Sequence, residues 1–455
     1  MFGDRIPGGA EEATGRLHYA GVHGVVLSYV DTAGVTRIKT VPTAKLARAA
    51  RWGVGMSPVF DVFLADDSIT ASEQLGGPDG DLRLVPDLDR LTVLAAQPGW
   101  AWAPVDRYSQ DGEPWPACQR GFARAMTERA AAAGLTFKAA IEVEWALGRG
   151  GTDEFVPACD GPAYGATRQI ELSDYCRDLL AALDAQGVEV EQLHPEYAAA
   201  QFELSVAARD PVGAADDSLL VRQTVRAVAH RHGLRASFAP AVLAGRVGNG
   251  GHVHLSAARE GRNLFSGGTG PHGLTAEAEA ATAGILDLLP ALLAIGAPSV
   301  ASYLRLVPSH WAGAYACWGH ETREAALRLV TGDAGERESA ANLEVKCFDL
   351  AANPYLLFGA LIAAALDGIR RGLRLPPPMT GDPAGLSPDE LAGRGIRRLP
   401  TTLDEAARAL SQAQPLRDAL GETLTGAVLA VRRAEAERLR NASDEDVAAA
   451  LRWVY

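Results

Sequence analysis

Five glutamates and one histidine stand in four short islands of the chain. The islands are Glu142-Val143-Glu144, His194-Pro195-Glu196 running on to Gln201-Phe202-Glu203, Gly251-His252-Val253-His254, and Leu343-Glu344-Val345-Lys346. Each lies in an apolar stretch that reads as a buried β-strand or the end of one. Carboxylates are seldom fully buried unless paired or bound to metal. A fold that buries these strands must therefore bring cations to them.

Taken singly, each island has an ordinary reading. Glu142 and Glu144, two apart on a predicted strand Thr136–Leu147, share one face that could simply be solvated. Glu196 and Glu203 could be surface acids, and His252 and His254 core histidines. The set together changes that balance. Glutamate oxygens with one imidazole suit hard divalent ions, magnesium or manganese rather than zinc. Gly248-Asn249-Gly250-Gly251 gives a tight backbone that can approach a ligand closely. Arg305, Arg323 and Arg328 lie within 24 residues of one another. Leu304-Arg305-Leu306 and Leu327-Arg328-Leu329 read as apolar strands, and buried guanidinium forks match phosphate and carboxylate. Metal-holding acids beside phosphate-holding arginines are the equipment of phosphoryl transfer. No GxxxxGK[ST] loop and no GxGxxG after a strand occurs, which excludes P-loop and Rossmann chemistry.

A net charge of −13, with no basic run interleaved with aromatics, argues against a nucleic-acid surface. Five scattered cysteines without a CxxC pair fit reduced thiols in a cytoplasmic protein. The N-terminus carries acids and no apolar core, so no secretory leader is expected. The apolar run Pro354–Leu366 is too short to span a bilayer, so no membrane association is expected. The expected class is α+β. A small N-terminal domain over 15–106 contains a hairpin at 18–40 turning on Asp31-Thr32-Ala33-Gly34, with strands near Leu82–Val85 and Arg90–Ala95. A boundary segment at Ala103–Pro116 leads to a larger domain over 112–455, where strands alternate with helices and the last third is helical.

Read in order, the islands resemble the glutamine synthetase family over nearly the whole chain. The resemblance is carried by the DTAG hairpin, DRYSQDGEP (106–114), EVEW, HPEYAAAQFE, GNGGHVHLS, RLVP, REAALR, LEVKCFDLAANPYL and LPTTLDEA. It implies a β-grasp-like N-terminal domain and a catalytic domain with a curved antiparallel sheet and flanking helices. It also implies a homo-oligomeric ring, usually two stacked hexagons, with sites between neighbouring subunits. By motif position, Glu144, Glu196 and Glu203 would hold one metal, and Glu142, His252 and Glu344 the other. Glu191, His254 and Ser256 would line the ATP site, with Arg323 and Arg328 on its phosphates. Arg305 and Gly248 would bind glutamate. The implied chemistry phosphorylates the side-chain carboxylate of glutamate, and an amine then displaces the phosphate.

Four departures from the family pattern bear on function. Trp311, in Ser309-His310-Trp311-Ala312, stands where ammonia-using members carry a flap glutamate that binds and deprotonates ammonium. Gly55-Met56-Ser57-Pro58-Val59-Phe60-Asp61 replaces the DGSS string that completes the ammonium site. Asn342 and Lys346 replace two arginines, and Lys346 can meet a carboxylate only as a point charge. Gly395 to Pro400 contains no tyrosine, so adenylylation there is not possible. The first two losses fall on the nitrogen-donor sub-site, whereas the metal positions are all filled. This pattern is similar to the family's divergent γ-glutamylpolyamine and γ-glutamylethanolamide synthetases. It implies an organic amine acceptor, with Trp311 as an apolar or cation–π wall. The alternatives are an ammonia-using glutamine synthetase, with Glu324 or His310 as base, and a non-catalytic sensor or scaffold.

Overall fold

The computed structural model describes residues 9–455. Residues 1–8, part of the stretch read as lacking a leader, lie outside the described residues.

The N-terminal sheet contains β1 (Gly24–Val30), β2 (Thr36–Pro42), β3 (Val54–Met56), β4 (Leu82–Pro86), β5 (Thr92–Val93) and β6 (Trp100–Tyr108). Its order is β2-β1-β6-β4-β3, with β5 on β6; β1 and β6 are parallel and the other pairs antiparallel. The hairpin turns where the sequence places it. Asp31 accepts a hydrogen bond from the Val35 N–H at 2.9 Å and pairs with Arg37 at 2.7 Å, which fixes the turn. Two details differ from expectation. Residues Ala10–Tyr19 form a helix ahead of the hairpin, packing Ala13 and Leu17 on the sheet. The strand expected at Arg90–Ala95 shrinks to two residues, because a 3-10 turn at Leu88–Arg90, capped by Asp87, precedes it. The first half of the expected boundary segment is strand β6. It is buried in the sheet and followed by a loop to the helix Gln119–Ala132.

The larger unit has two sheets. One holds β8 (Val143–Arg149), β9 (Val190–Pro195), β10 (Gln201–Val206) and β11 (Leu234–Ser237), in the antiparallel order β11-β8-β10-β9. The other holds β7 (Thr136–Ile141), β12 (Val253–Arg259), β13 (Arg262–Asn263), β14 (Tyr315–His320), β15 (Ala325–Val330), β16 (Asn342–Val345) and β17 (Arg397–Arg398). Its order is β13-β12-β16-β15-β14-β17, with β7 against β12; only β14 and β15 run parallel. The expected single strand Thr136–Leu147 is thus broken at Glu142, and its halves belong to different sheets. The Glu142 N–H donates to the His252 carbonyl at 2.9 Å, which stitches the two sheets at the break. Arg305 also differs from expectation: it ends a short helix, Ser302–Arg305, rather than lying in a strand.

Helices close the back of these sheets. Asn353 caps Pro354–Arg371, its side chain accepting from the N–H groups of Tyr355 and Leu356; Pro354 starts the helix and Gly372, at φ 62°, ends it. Ala276–Gly296 is long and apolar enough to cross a membrane, but most of it is buried inside the fold, packed on Pro354–Arg371. All five cysteines are free and buried.

Candidate active site

Strand register gathers the ionisable side chains into rows. Across the first sheet, Glu144 of β8 faces Glu203 of β10, which faces His194 of β9. The alternate residues of these strands point the other way. Trp145 and Phe202 are fully buried, stack with centroids 6.1 Å apart and anchor the row from behind. Across the second sheet, His254 of β12 faces Glu344 of β16, which faces Arg328 of β15. Glu142, at the break between the sheets, joins the two rows.

Two groups of donors result, each with its ligand atoms within 4.8 Å of one another: Glu142, His252 and Glu344, and His194, Glu196 and Glu203. His252 Nδ1 lies 3.1 Å from Glu142 and 3.4 Å from Glu344. His194 Nε2 lies 3.3 Å from Glu203, and its Nδ1 lies 3.6 Å from Glu196. The first group matches the expected set. The second brings His194 to Glu196 and Glu203, with Glu144 across from Glu203 and its oxygens turned to other partners. Glu144 Oε2 already accepts from the Gly250 N–H at 2.8 Å and Gln201 Nε2 at 3.0 Å, while Oε1 turns towards His252 at 3.8 Å. Oxygen-rich sets with one imidazole fit a hard divalent cation.

The electrostatics agree with that fit. Burial pushes Glu144 up to about 7, reinforced by Glu196 and Glu142 against the opposing pull of Arg305. Burial likewise pushes Glu203 up to about 7. Burial also works against charge on Glu142, but hydrogen bonds from His252 and His254 hold it well below the usual range. Glu344 is held low against burial by Lys346 and the two histidines. Several acids crowded this way repel one another until a cation arrives.

The arginines present open donors. Arg305 gives one hydrogen bond to the Lys346 carbonyl at 3.0 Å and contacts His252 at 3.1 Å, yet its Nη1 is buried with no partner among the described residues. Arg328 holds Glu344 at 3.0 Å and Glu321 at 2.8 Å, leaving Nε buried with no partner among the described residues. Buried guanidinium donors of this kind fit an anionic ligand. Arg323 is exposed on the wall of the same cavity of about 710 Å³, which both metal-type groups also line. Lys346 spends its charge on Glu344 at 3.0 Å.

Other expected residues fall less centrally. Glu191 is exposed at the register shift where the pairing of β9 with β10 skips one residue, whereas its neighbour Gln192 lines the cavity. His254 contacts Glu142 at 3.1 Å and takes its orientation from Asn342 at 2.8 Å. Ser256 shares the face of His254 two residues on, outside the cavity lining. Gly248 lies at the wall, its carbonyl accepting from Gln201 at 2.9 Å. A Cβ on Gly248 would meet the Pro240 carbonyl at 2.0 Å.

Trp311 lies on the flap, 45% exposed, and meets Tyr197 edge-on at 4.7 Å. Tyr197 in turn meets Tyr164 edge-on at 5.6 Å, and the Tyr164 hydroxyl donates to Glu196. An aromatic wall therefore runs from the flap to the second donor group. Ser309 and Trp311 both have positive φ, and Ser309 is tied to Asp382 at 2.6 Å. His194, Tyr164 and Tyr197 were missed in the sequence. His194 and Tyr197 flank Glu196 in its own motif, a signal that was available; Tyr164 sits in a loop without one.

Residues 116–448 match the model of the glutamine synthetase catalytic domain, and residues 14–115 that of the glutamine synthetase N-terminal domain. The chain is 64% identical to gamma-glutamylpolyamine synthetase GlnA3 of Streptomyces coelicolor, over 99% of each chain. It is 29% identical to a glutamate–methylamine ligase of Methyloversatilis universalis, over 93% of this chain and 95% of that one. Among solved structures, a glutamine synthase homologue superposes with TM-score 0.85 at 34% identity, covering 95% of this chain and 99% of that one. A GmaS/ADP complex superposes with TM-score 0.83 at 28% identity, covering 95% and 97%.

Proposed function

This chain belongs to the glutamine synthetase family, and from that premise we propose that it is an ATP-dependent ligase joining the γ-carboxylate of glutamate to an organic amine. Polyamines are the acceptor class, in line with the name of its 64% identical relative. One observation carries the reading. Both donor groups are intact, whereas the flap presents Trp311 against Tyr197 where ammonia-using members carry an acid.

Glu142, His252 and Glu344 would hold one magnesium or manganese ion, and Glu196 and Glu203, with His194 and Glu144 beside them, a second. Bound there, the ions would neutralise charge on the phosphoryl group in transit. Arg323 and Arg328 orient the ATP phosphates, Arg328 leaving Glu321 to do so, while His254 and Ser256 border the nucleotide. Glu191, exposed at the bulge of β9 next to the cavity-lining Gln192, is placed with them. Arg305 offers its open Nη1 to the α-carboxylate of glutamate, with the Gly248 backbone beside it. Lys346 stays on Glu344 and shapes the substrate's edge of the cavity. A γ-carboxylate oxygen attacks the γ-phosphorus, ADP leaves, and the acyl phosphate awaits its nucleophile. Trp311 and the tyrosines then hold an ammonium ion and its methylenes by cation–π and apolar contact, and shield the acyl phosphate from water.

A homo-oligomeric ring, a dodecamer in its usual form, completes the proposal. Exposed Ile38, Trp52 and Trp100 on the N-terminal unit supply apolar surface for it. The working compartment is the cytoplasm, where ATP is at hand and the buried thiols stay reduced. Incubation with ATP, magnesium, glutamate and a panel of amines tests the function. Mass spectrometry is expected to find γ-glutamylpolyamines; glutamine as the sole product would refute it.

A further inference from the structure

At neutral pH an aliphatic amine arrives as an ammonium ion and attacks only after giving up a proton. Trp311 cannot take that proton, nor supply a counter-charge beyond its ring face. A carboxylate nevertheless stands at the flap, brought there by a different element. Glu324, the residue just before β15, folds beneath the flap with 9% of its surface exposed. Its Oε1 accepts the backbone N–H of Trp311 at 2.8 Å. Its Oε2 makes no hydrogen bond with any described residue and is not sealed from solvent. The charged groups around it are Asp382, Lys346 and His310. Trp311, His310 and Lys346 line the catalytic cavity, and Glu324, bonded to the Trp311 backbone, stands directly behind that wall. Burial raises the affinity of this carboxyl for a proton, and Asp382 adds to it, which suits a group that must accept one.

We propose that Glu324 is the acceptor carboxylate of this enzyme: beside the Trp311 indole, its open oxygen binds the incoming ammonium group and takes its proton. The inference rests on the amine-ligase reading. A proton passes from the ammonium nitrogen to Oε2, and the freed lone pair forms the C–N bond at the acyl carbon. The C–O bond to phosphorus-bearing oxygen breaks with its electron pair, phosphate leaves carrying the surplus proton of the new amide nitrogen, and Glu324 returns its proton to solvent. Holding Trp311 by its backbone and the amine by its charge, one side chain couples flap position to acceptor binding.

Glu324→Gln tests this, because the amide oxygen still accepts from the Trp311 N–H while charge and basicity are gone. Initial rates are measured for wild type and variant with 1,4-diaminobutane, a protonated amine, and with hydroxylamine, which is uncharged at neutral pH. The expected result is a fall of about 100-fold in kcat/KM for the diamine. Hydroxamate formation and the KM values for ATP and glutamate should stay within about threefold of wild type. Equal losses with both nucleophiles would reduce Glu324 to a support of the flap and overturn the proposal, as would no loss with either. Wild type forming hydroxamate but no organic amide would instead overturn the amine-ligase reading on which it rests.

Discussion

A methyl group on Gly250 would lie 2.6 Å from His252 Nε2, 2.8 Å from Glu144 Oε1 and 2.9 Å from Arg305 Nη2. Gly250→Ala should therefore displace the His252 ring, the Glu144 carboxylate and the Arg305 guanidinium together. We expect kcat to fall at least about 100-fold with far-UV circular dichroism unchanged, since the clash is confined to the site. Protons compete for the same donors. Glu144 and Glu203 titrate near pH 7 because burial disfavours their charge, and a cation binds only the ionised forms. Manganese affinity of the metal-free protein should rise from about pH 6 to about pH 8 with release of protons, read by calorimetry in buffers of different ionisation enthalpy. A flat affinity would mean that these acids are already ionised. At Trp311 the change is one of partner: Trp311→Glu returns a carboxylate to the flap, and ammonia use should rise while polyamine use falls, seen in the ratio of glutamine to γ-glutamyl amide formed.

Elements explain what was legible in the sequence and what was not. Glu142, Glu196, Glu203, His252 and Glu344 could be singled out as a set, because four acidic or imidazole islands in apolar surroundings ask for a common cation though each alone is ordinary. The helix Pro354–Arg371 was equally readable from its apolar face and its proline start. Which donors meet depends on register between strands far apart in sequence. Glu203 opposes His194 on one side and Glu144 on the other, so His194 enters the second group through pairing between strands, although its place beside Glu196 in the motif was in view. The break at Glu142 was hidden for a related reason: β7 and β8 abut with one residue between them, and only their partners, β12 on one side and β10 and β11 on the other, divide them. Arg305 sits in an apolar tetrad that suits strand or helix alike. The row of acids also carries a prediction. In the metal-free protein Glu144 is crowded by Glu196 and Glu142, and like charges so placed destabilise a sheet. Glu144→Gln should raise the melting temperature without metal and lose most of the further rise that manganese gives; a fall without metal would show that Arg305 outweighs the acids.

Across the whole molecule, the two-domain architecture follows the glutamine synthetase family, and Trp311 is the departure that stands on the flap. Trp311, Tyr197 and Tyr164 line the way to the second donor group, and Glu324 stands behind them. The centre is built to activate glutamate, and its entrance to take something larger and greasier than ammonium. The most direct test is the ratio of specificity constants for polyamines and ammonia, measured by phosphate release at saturating ATP, magnesium and glutamate. Sites built around a substrate's groups discriminate strongly, so a polyamine is predicted to exceed ammonia by at least about 100-fold; ammonia matching or exceeding every organic amine would contradict the account.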